Sequence, residues 1–228
     1  MTMTGRQKNN FPRVMPPVIV PAAGKSSRMG EPKALLHRKR GETFLGGIIK
    51  TCNHCKLNVV IVIQPEENNL SKELDKIRRE GFLFKKAFNS NPETEMVDSF
   101  RKGLQRTESP HATGAFIWPV DSIGANAETL LKLAKQASKK PDLLVAPTYL
   151  GTQGHPTFMP RKVIEYLMDM NPVDGALPLE NGMRTLLSRL NPASFFVETN
   201  EPMVLSNINR PEDLKDFYKT QTSKKNPL

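Results

Sequence analysis

A chain of 228 residues, 38% of them hydrophobic and 25% charged, has the length and composition of one folded domain with a sizeable core. Its net charge of +10 creates a surface field that attracts anions, which suits nucleotides, phosphorylated metabolites and nucleic acid alike. No run of about 18 apolar residues is present to span a bilayer, and two cysteines are too few for a disulfide framework, so a reducing cytoplasm is the expected setting. The opening MTMTGRQKNNFPRVMPP lacks the apolar core of a signal peptide. Residues 1–15 are therefore expected to form a flexible arm, 16–220 the folded domain and 221–228 a disordered tail.

Short apolar runs alternate with amphipathic stretches along the chain. Val18–Val20 reads as a buried strand that ends at Pro21–Gly24, and Phe44 to Ile49 has helical spacing. Asn58–Ile63 is the strongest strand signal, β-branched and apolar throughout. Glu66–Arg79 reads as a helix carrying Leu70, Leu74 and Ile77 on one face. Strands follow at Phe82–Phe84, Gly114–Trp118, Leu143–Pro147 and Thr157–Met159, interleaved with helices at Glu95–Leu104, Ala127–Ala137 and Pro160–Met168. Residues 183–190 read as helical, Ser194–Glu198 and Val204–Leu205 as extended, and Pro211–Tyr218 as a last helix. This alternation predicts one α/β domain: a three-layer α/β/α, Rossmann-like architecture around a mostly parallel mixed sheet.

The segment VIVPAAGKSSRMGEPKALL carries the chemistry. A strand runs into Ala22, Ala23 and Gly24, then Lys25, Ser26, Ser27, Arg28, Gly30 and Lys33. Small residues let backbone approach an anion, and Gly24 and Gly30 permit conformations that other residues resist. Inward-facing N–H groups would form an anion nest, with Arg28 and Lys33 adding positive charge. Ligands of open α/β sheets bind at the carboxyl ends of strands, where this loop belongs. It is neither a Walker A loop nor a G-x-G-x-x-G turn.

The segment resembles the signature loop of the MobA-like nucleotidyltransferases, A-A-G-x-S-x-R-M-G-x-P-K, through Ala22, Ala23, Gly24, Ser26, Arg28, Met29, Gly30, Pro32 and Lys33. The likeness continues in Asn91–Pro92 with Glu95–Met96 and Ser99–Leu104, in Gly154–His155–Pro156, in Gly182–Leu187, and in Asn207–Leu214. It implies a nucleotide-diphospho-sugar transferase type of fold. It also implies a loop that cradles a triphosphate through Ala22, Ala23, Gly24, Ser26, Arg28 and Lys33, with Ser99 by the nucleobase and His155 on the acceptor side. Glu95 stands where the family carries glycine.

Nucleotidyl transfer needs magnesium to bridge phosphate oxygens, and magnesium is satisfied by one or two carboxylates with water and phosphate. Asp121 closes the run Phe116–Asp121, which resembles the family's apolar strand ending in P-V-D, and is the expected ligand. Where the family closes in D-I-D, this chain has Asn207 and Asn209, whose carbonyls can ligate but bring no charge. Cys52–Asn53–His54–Cys55 lacks a second pair at ligand spacing and reads as a helix end. Lys139 and Lys140 read as a solvated helix end, and Met29 and Met96 as packing residues.

The implied reaction moves a nucleotidyl group from a nucleoside triphosphate to a small phosphorylated acceptor and releases pyrophosphate. Arg28, Lys33 and Asp121 would be catalytic. The A-A-G form resembles molybdenum cofactor cytidylyltransferases, which favours CTP and a molybdopterin-type acceptor; sugar and polyol phosphates stay open. Two other classes also stay open. One is a catalytically silent nucleotide sensor, to which the asparagines point. The other is a nucleic-acid binder using the +10 charge, against which stands the lack of an aromatic-rich basic strand or recognition helix.

Overall fold

Every residue of Val59–Ile63 is buried, so this strand needs apolar cover on both faces and belongs inside a sheet with helices above and below. The computed structural model describes residues 15–24, 31–39, 41–91, 94–107, 114–171 and 181–223. Its strands are β1 (Val18–Pro21), β2 (His37–Lys39), β3 (Glu42–Thr43), β4 (Val59–Ile63), β5 (Lys85–Phe88), β6 (Ala115–Ile117), β7 (Leu144–Tyr149), β8 (Thr152–Gln153), β9 (Thr157–Met159) and β10 (Ser194–Glu198). Its helices are α1 (Phe44–His54), α2 (Asn68–Arg79), α3 (Met96–Leu104), α4 (Ala127–Lys139), α5 (Arg161–Asp169), α6 (Gly182–Leu190) and α7 (Pro211–Ser223).

The main sheet has the order β10-β7-β9-β6-β1-β4-β5, with β8 paired to β7 and the hairpin β2–β3 standing apart. β1 pairs in parallel with β4 and with β6, while β9 runs antiparallel to β6 and β7. The sheet is thus mixed but mostly parallel. From β1 the chain builds outward through β4 and β5, then returns to place β6 on the other side of β1. That reversal opens a crevice outside the carboxyl ends of β1 and β6, the place where open α/β sheets hold ligands.

The period of two along each strand sorts side chains between the layers. Val18, Val20, Ile61 and Phe116 pack with Leu45, Ile48, Leu74 and Leu133 of α1, α2 and α4. Ile19, Val60, Val62 and Ile117 pack on the other face with Phe100, Leu104, Val163 and Leu186 of α3, α5 and α6. A third cluster of Leu36, Phe44, Ile123, Ile208 and Phe217 holds α7 against the edge of the domain. There the Phe44 and Phe217 rings meet edge-to-face with centroids 5.9 Å apart.

Two of the expected elements differ in the structure, and β2, β3 and β8 are additional to those expected. The strand expected at Phe82–Phe84 lies at Lys85–Phe88 instead. Phe82 and Phe84 pack against the α1–α2 core cluster, under Lys50 and Arg78 at 5.1 Å and 4.8 Å from their ring centroids. Their aromatic alternation thus serves the end of α2, and the paired edge strand begins one residue later. Val204 and Leu205, expected extended, lie in a 3-10 turn at Pro202–Leu205, closed by Val204 N–H donating to the Glu201 carbonyl and Ser206 N–H to that of Met203. Lys140 is more than a solvated helix end, since its ammonium sits 4.5 Å from the Phe195 ring centroid. The helix end at Cys52–Cys55 is as expected, with both thiols free and buried.

Gly103 marks the tightest approach of α3 to the sheet: a Cβ there would lie 2.2 Å from Ile19 Cγ2. Overpacking a core costs about 1–3 kcal/mol, more than the roughly 1 kcal/mol alanine gains over glycine in a helix. Gly103→Ala is therefore expected to lower the urea midpoint with an unchanged slope, as read by far-UV circular dichroism.

Candidate active site

A cleft of about 320 Å³ lies at the carboxyl ends of the central strands. Pro21, Ala22, Ala23 and Gly24 come from the end of β1, and Lys33 and Ala34 from the 3-10 turn Lys33–Leu35. Pro119, Val120 and Asp121 come from the end of β6, and Asn209 from the segment before α7. The opposite wall holds Asn89, Asn91, Thr94, Met96 and Ser99, from the end of β5 and the start of α3. Ser26 and Arg28, with Lys25, Ser27, Met29 and Gly30, lie outside the described residues.

The strand end is held from the side. Ala22 N–H donates to the Val62 carbonyl at 2.8 Å, and the Gln64 amide donates to the Ala23 carbonyl at 2.6 Å. Gly24 does not have the positive φ that glycine permits, and a Cβ on it would meet no atom of the described residues within 4 Å. The conformational reason expected for a glycine here is therefore absent, and Gly24 lines the cleft. The Asp121 turn is braced from below by Trp118, fully buried, whose indole donates to the Ser122 carbonyl.

Lys33 gathers the floor of the cleft. Its ammonium donates to Asp121 Oδ2 at 2.8 Å and to Asn209 Oδ1. Both side chains of the ion pair are largely enclosed, at 16% and 20% exposure, which strengthens the pair relative to a surface one. Ile208 N–H donates to the Asp121 carbonyl at 3.1 Å, so the last loop is tied to β6 as well. Asn209 is itself fixed by Asp213, whose Oδ2 accepts from the N–H groups of Asn209 and Arg210, each at 2.8 Å. That reach back from the first turn of α7 is a capping arrangement.

Of the two asparagines, only Asn209 lines the cleft; Asn207 is exposed. Asp121 and Asn209 present hard oxygen donors, one anionic and one neutral, at a single point that a cation already occupies through Lys33. That donor chemistry fits a hard divalent ion completed by phosphate oxygens. Among the described residues no group of three or more His, Cys, Asp or Glu could hold a metal.

On the opposite wall Ser99 is buried, and its hydroxyl accepts from Asn89 at 3.0 Å. The Asn89 amide also donates to Thr94 Oγ1 at 2.9 Å, and Thr94 Oγ1 donates in turn to the Asn91 carbonyl at 2.8 Å. Asn89, Thr94 and Gln64 are site residues that the sequence reading missed. Asn89 follows β5, so placing that strand correctly would have brought it to a carboxyl end. Met96 lines the cleft with 38% of its surface exposed and is not a core residue. Glu95 is exposed beside Gly182, where a Cβ would lie 3.2 Å from Glu95 Oε2.

His155 does not line this cleft. Its backbone N–H donates to the Val204 carbonyl at 3.0 Å, and its buried Nδ1 has no hydrogen-bond partner among the described residues. Burial holds the imidazole below its ordinary range, against a smaller upward pull from the Asp121 carboxylate.

The two backbone N–H bonds hold the Asp213 carboxyl below its ordinary range. A depressed carboxylate stabilises the fold above its unfolded pKa and loses that effect as pH falls through the folded value. Asp213→Ala is therefore expected to melt below wild type at pH 7, with the gap closing as pH falls below about 4. Thermal unfolding across that range would check it.

A family model for the MobA-like NTP transferase domain matches residues 18–193. No curated protein matches the chain. Among solved structures, the fold is similar to Rv0371c from Mycobacterium tuberculosis H37Rv, at 19% identity and a TM-score of 0.68, covering 92% of this chain and 100% of that one. The same mycobacterial protein is also described in complex with manganese. Molybdopterin-guanine dinucleotide biosynthesis protein A from Archaeoglobus fulgidus superposes at 16% identity and a TM-score of 0.61, covering 90% and 98% of the two chains. The 4-diphosphocytidyl-2C-methyl-D-erythritol synthase of Anaerococcus prevotii does so at 13% identity and 0.64, covering 91% and 96%.

Proposed function

The chain belongs to the MobA-like NTP transferase family, and we propose from that premise that it transfers a nucleotidyl group, CMP in the favoured case, from a nucleoside triphosphate to a small phosphorylated acceptor of molybdopterin type. The observation that carries the reading is the meeting of Lys33, Asp121 and Asn209 beside the small-residue turn Ala22–Gly24, at the sheet's switch point.

In the step proposed, an acceptor phosphate oxygen attacks the α-phosphorus in line, the bond from the α-phosphorus to its bridging oxygen breaks, and pyrophosphate leaves. Gly24 leaves room for the triphosphate against the β1 end, and Lys33 with Arg28 gives it charge-assisted donors. Magnesium, held by Asp121 and the Asn209 carbonyl, would neutralise charge on the phosphate oxygens. The polar wall of Asn89, Thr94 and Ser99 faces the nucleobase, held rigid by its own hydrogen bonds. His155, neutral and fixed through its backbone, would stand on the acceptor side. Positioning and electrostatics supply the catalysis; no protein nucleophile is needed. A second reading, a nucleotide-binding protein without turnover, is favoured by one observation, the neutral Asn209 beside a single carboxylate.

Calorimetric titration with CTP, GTP, ATP and UTP, each with and without magnesium, tests the donor. One nucleotide is expected to bind selectively and with metal dependence. Loss of a charge-assisted hydrogen bond costs about 1.5–3 kcal/mol, so Lys33→Ala and Arg28→Ala should each weaken binding by roughly 10-fold or more. Asp121→Ala should remove the magnesium dependence. Pyrophosphate release on adding a molybdopterin-type or polyol phosphate acceptor separates transfer from silent binding. Unchanged nucleotide affinity in both loop variants would sink the donor reading.

A further inference from the structure

The cation at the floor of the cleft is the protein's own. Lys33 Nζ bridges Asp121 Oδ2 and Asn209 Oδ1, the same two oxygens that a divalent ion would need. The arrangement is built rather than incidental. Its three members come from chain segments 88 and 176 residues apart. Asn209 is fixed by Asp213 through two N–H bonds, and Ile208 is tied to the Asp121 backbone. The charge count matters as much as the geometry. Within the trio, the Lys33 ammonium offsets the Asp121 carboxylate, and Asn209 adds a dipole but no charge, so the lysine already takes up the one anionic ligand that a dication would seek there. An acid at position 209 would have left one negative charge over. A triphosphate changes the balance, because it offers Lys33 several anionic oxygens and brings its own ligands for the metal.

We propose that Lys33 is an internal cation that holds Asp121 and Asn209 against divalent metal, so that the metal joins the site only with a triphosphate that draws the lysine off. Lys33 thereby sets the order of loading as well as contacting phosphate. The nucleotide part of this inference rests on the donor reading above; the competition between Lys33 and metal does not.

The test uses MnCl2 and the full chain, with unbound Mn²⁺ read from its electron paramagnetic resonance signal. Wild type alone is expected to bind Mn²⁺ weakly. Lys33→Met should bind it at least about tenfold more tightly, and adding Asp121→Ala to that variant should abolish the gain. Lys33→Gln, which keeps a donor but no charge, should also tighten binding and covers the case in which Lys33→Met does not fold. CTP added to wild type should raise Mn²⁺ affinity, and Mn²⁺ should raise CTP affinity by the same factor; the factor should shrink when Lys33 is replaced. Tight Mn²⁺ binding by wild type alone, or no gain in either Lys33 variant, overturns the proposal. If wild type binds none of the four nucleotides, the donor reading fails while the Mn²⁺ comparison still decides the role of Lys33.

Discussion

β1 has no face left for solvent. Val18 and Val20 are claimed by one helical layer and Ile19 by the other, and both edges are paired in parallel, to β4 and to β6. A strand held on four sides cannot slip by one residue without exchanging its two faces. Its carboxyl end is therefore a fixed point, and the turn Ala22–Gly24 that leaves it inherits that position. The end of β6 inherits the same register through the Trp118 N–H to Ile19 carbonyl bond of 2.9 Å. What the cleft can do chemically depends on this: a small-residue turn and an acidic turn are presented side by side by strands that have nowhere else to go.

The polar residues of the cleft depend on that frame in different degrees. Asp121 is carried by a turn pinned from below by a buried indole. Asn209 belongs to no strand; it is placed by a helix cap and by one backbone bond to β6. Lys33, largely enclosed, is held by its ion pair with Asp121 and its bond to Asn209.

Much of the fold could be read from β-branched runs. Val18–Val20 and Val59–Ile63 are so uniformly apolar that only a doubly covered strand accommodates them, and α2 declares its buried face through Leu70, Leu74 and Ile77. The errors came where aromatic residues served something other than a strand, as at Phe82 and Phe84, or where the hairpin β2–β3 and the strand β8 were too short to leave a periodic signal. At the site, the motif pattern pointed to Lys33, Asp121 and an asparagine pair, but only the three-dimensional path separated Asn209 from Asn207. Gln64 and Asn89 were illegible for a plain reason: an amide in a loop has many possible partners, and which it takes depends on strands far away in sequence.

The family match ends at residue 193, whereas the amide that completes the floor of the cleft is carried by the stretch at 207–209 and anchored by α7. During synthesis the phosphate-facing turn, the acidic turn and the whole parallel half of the sheet emerge first, at about 5–20 residues per second. Lys33 and Asp121 emerge before Asn209, which is anchored by the first turn of the C-terminal helix that packs through Phe217. The stretch beyond residue 193 is therefore the finishing piece of the pocket. A fragment cut at the family boundary would keep most of the sheet and lose the amide from the floor of its cleft.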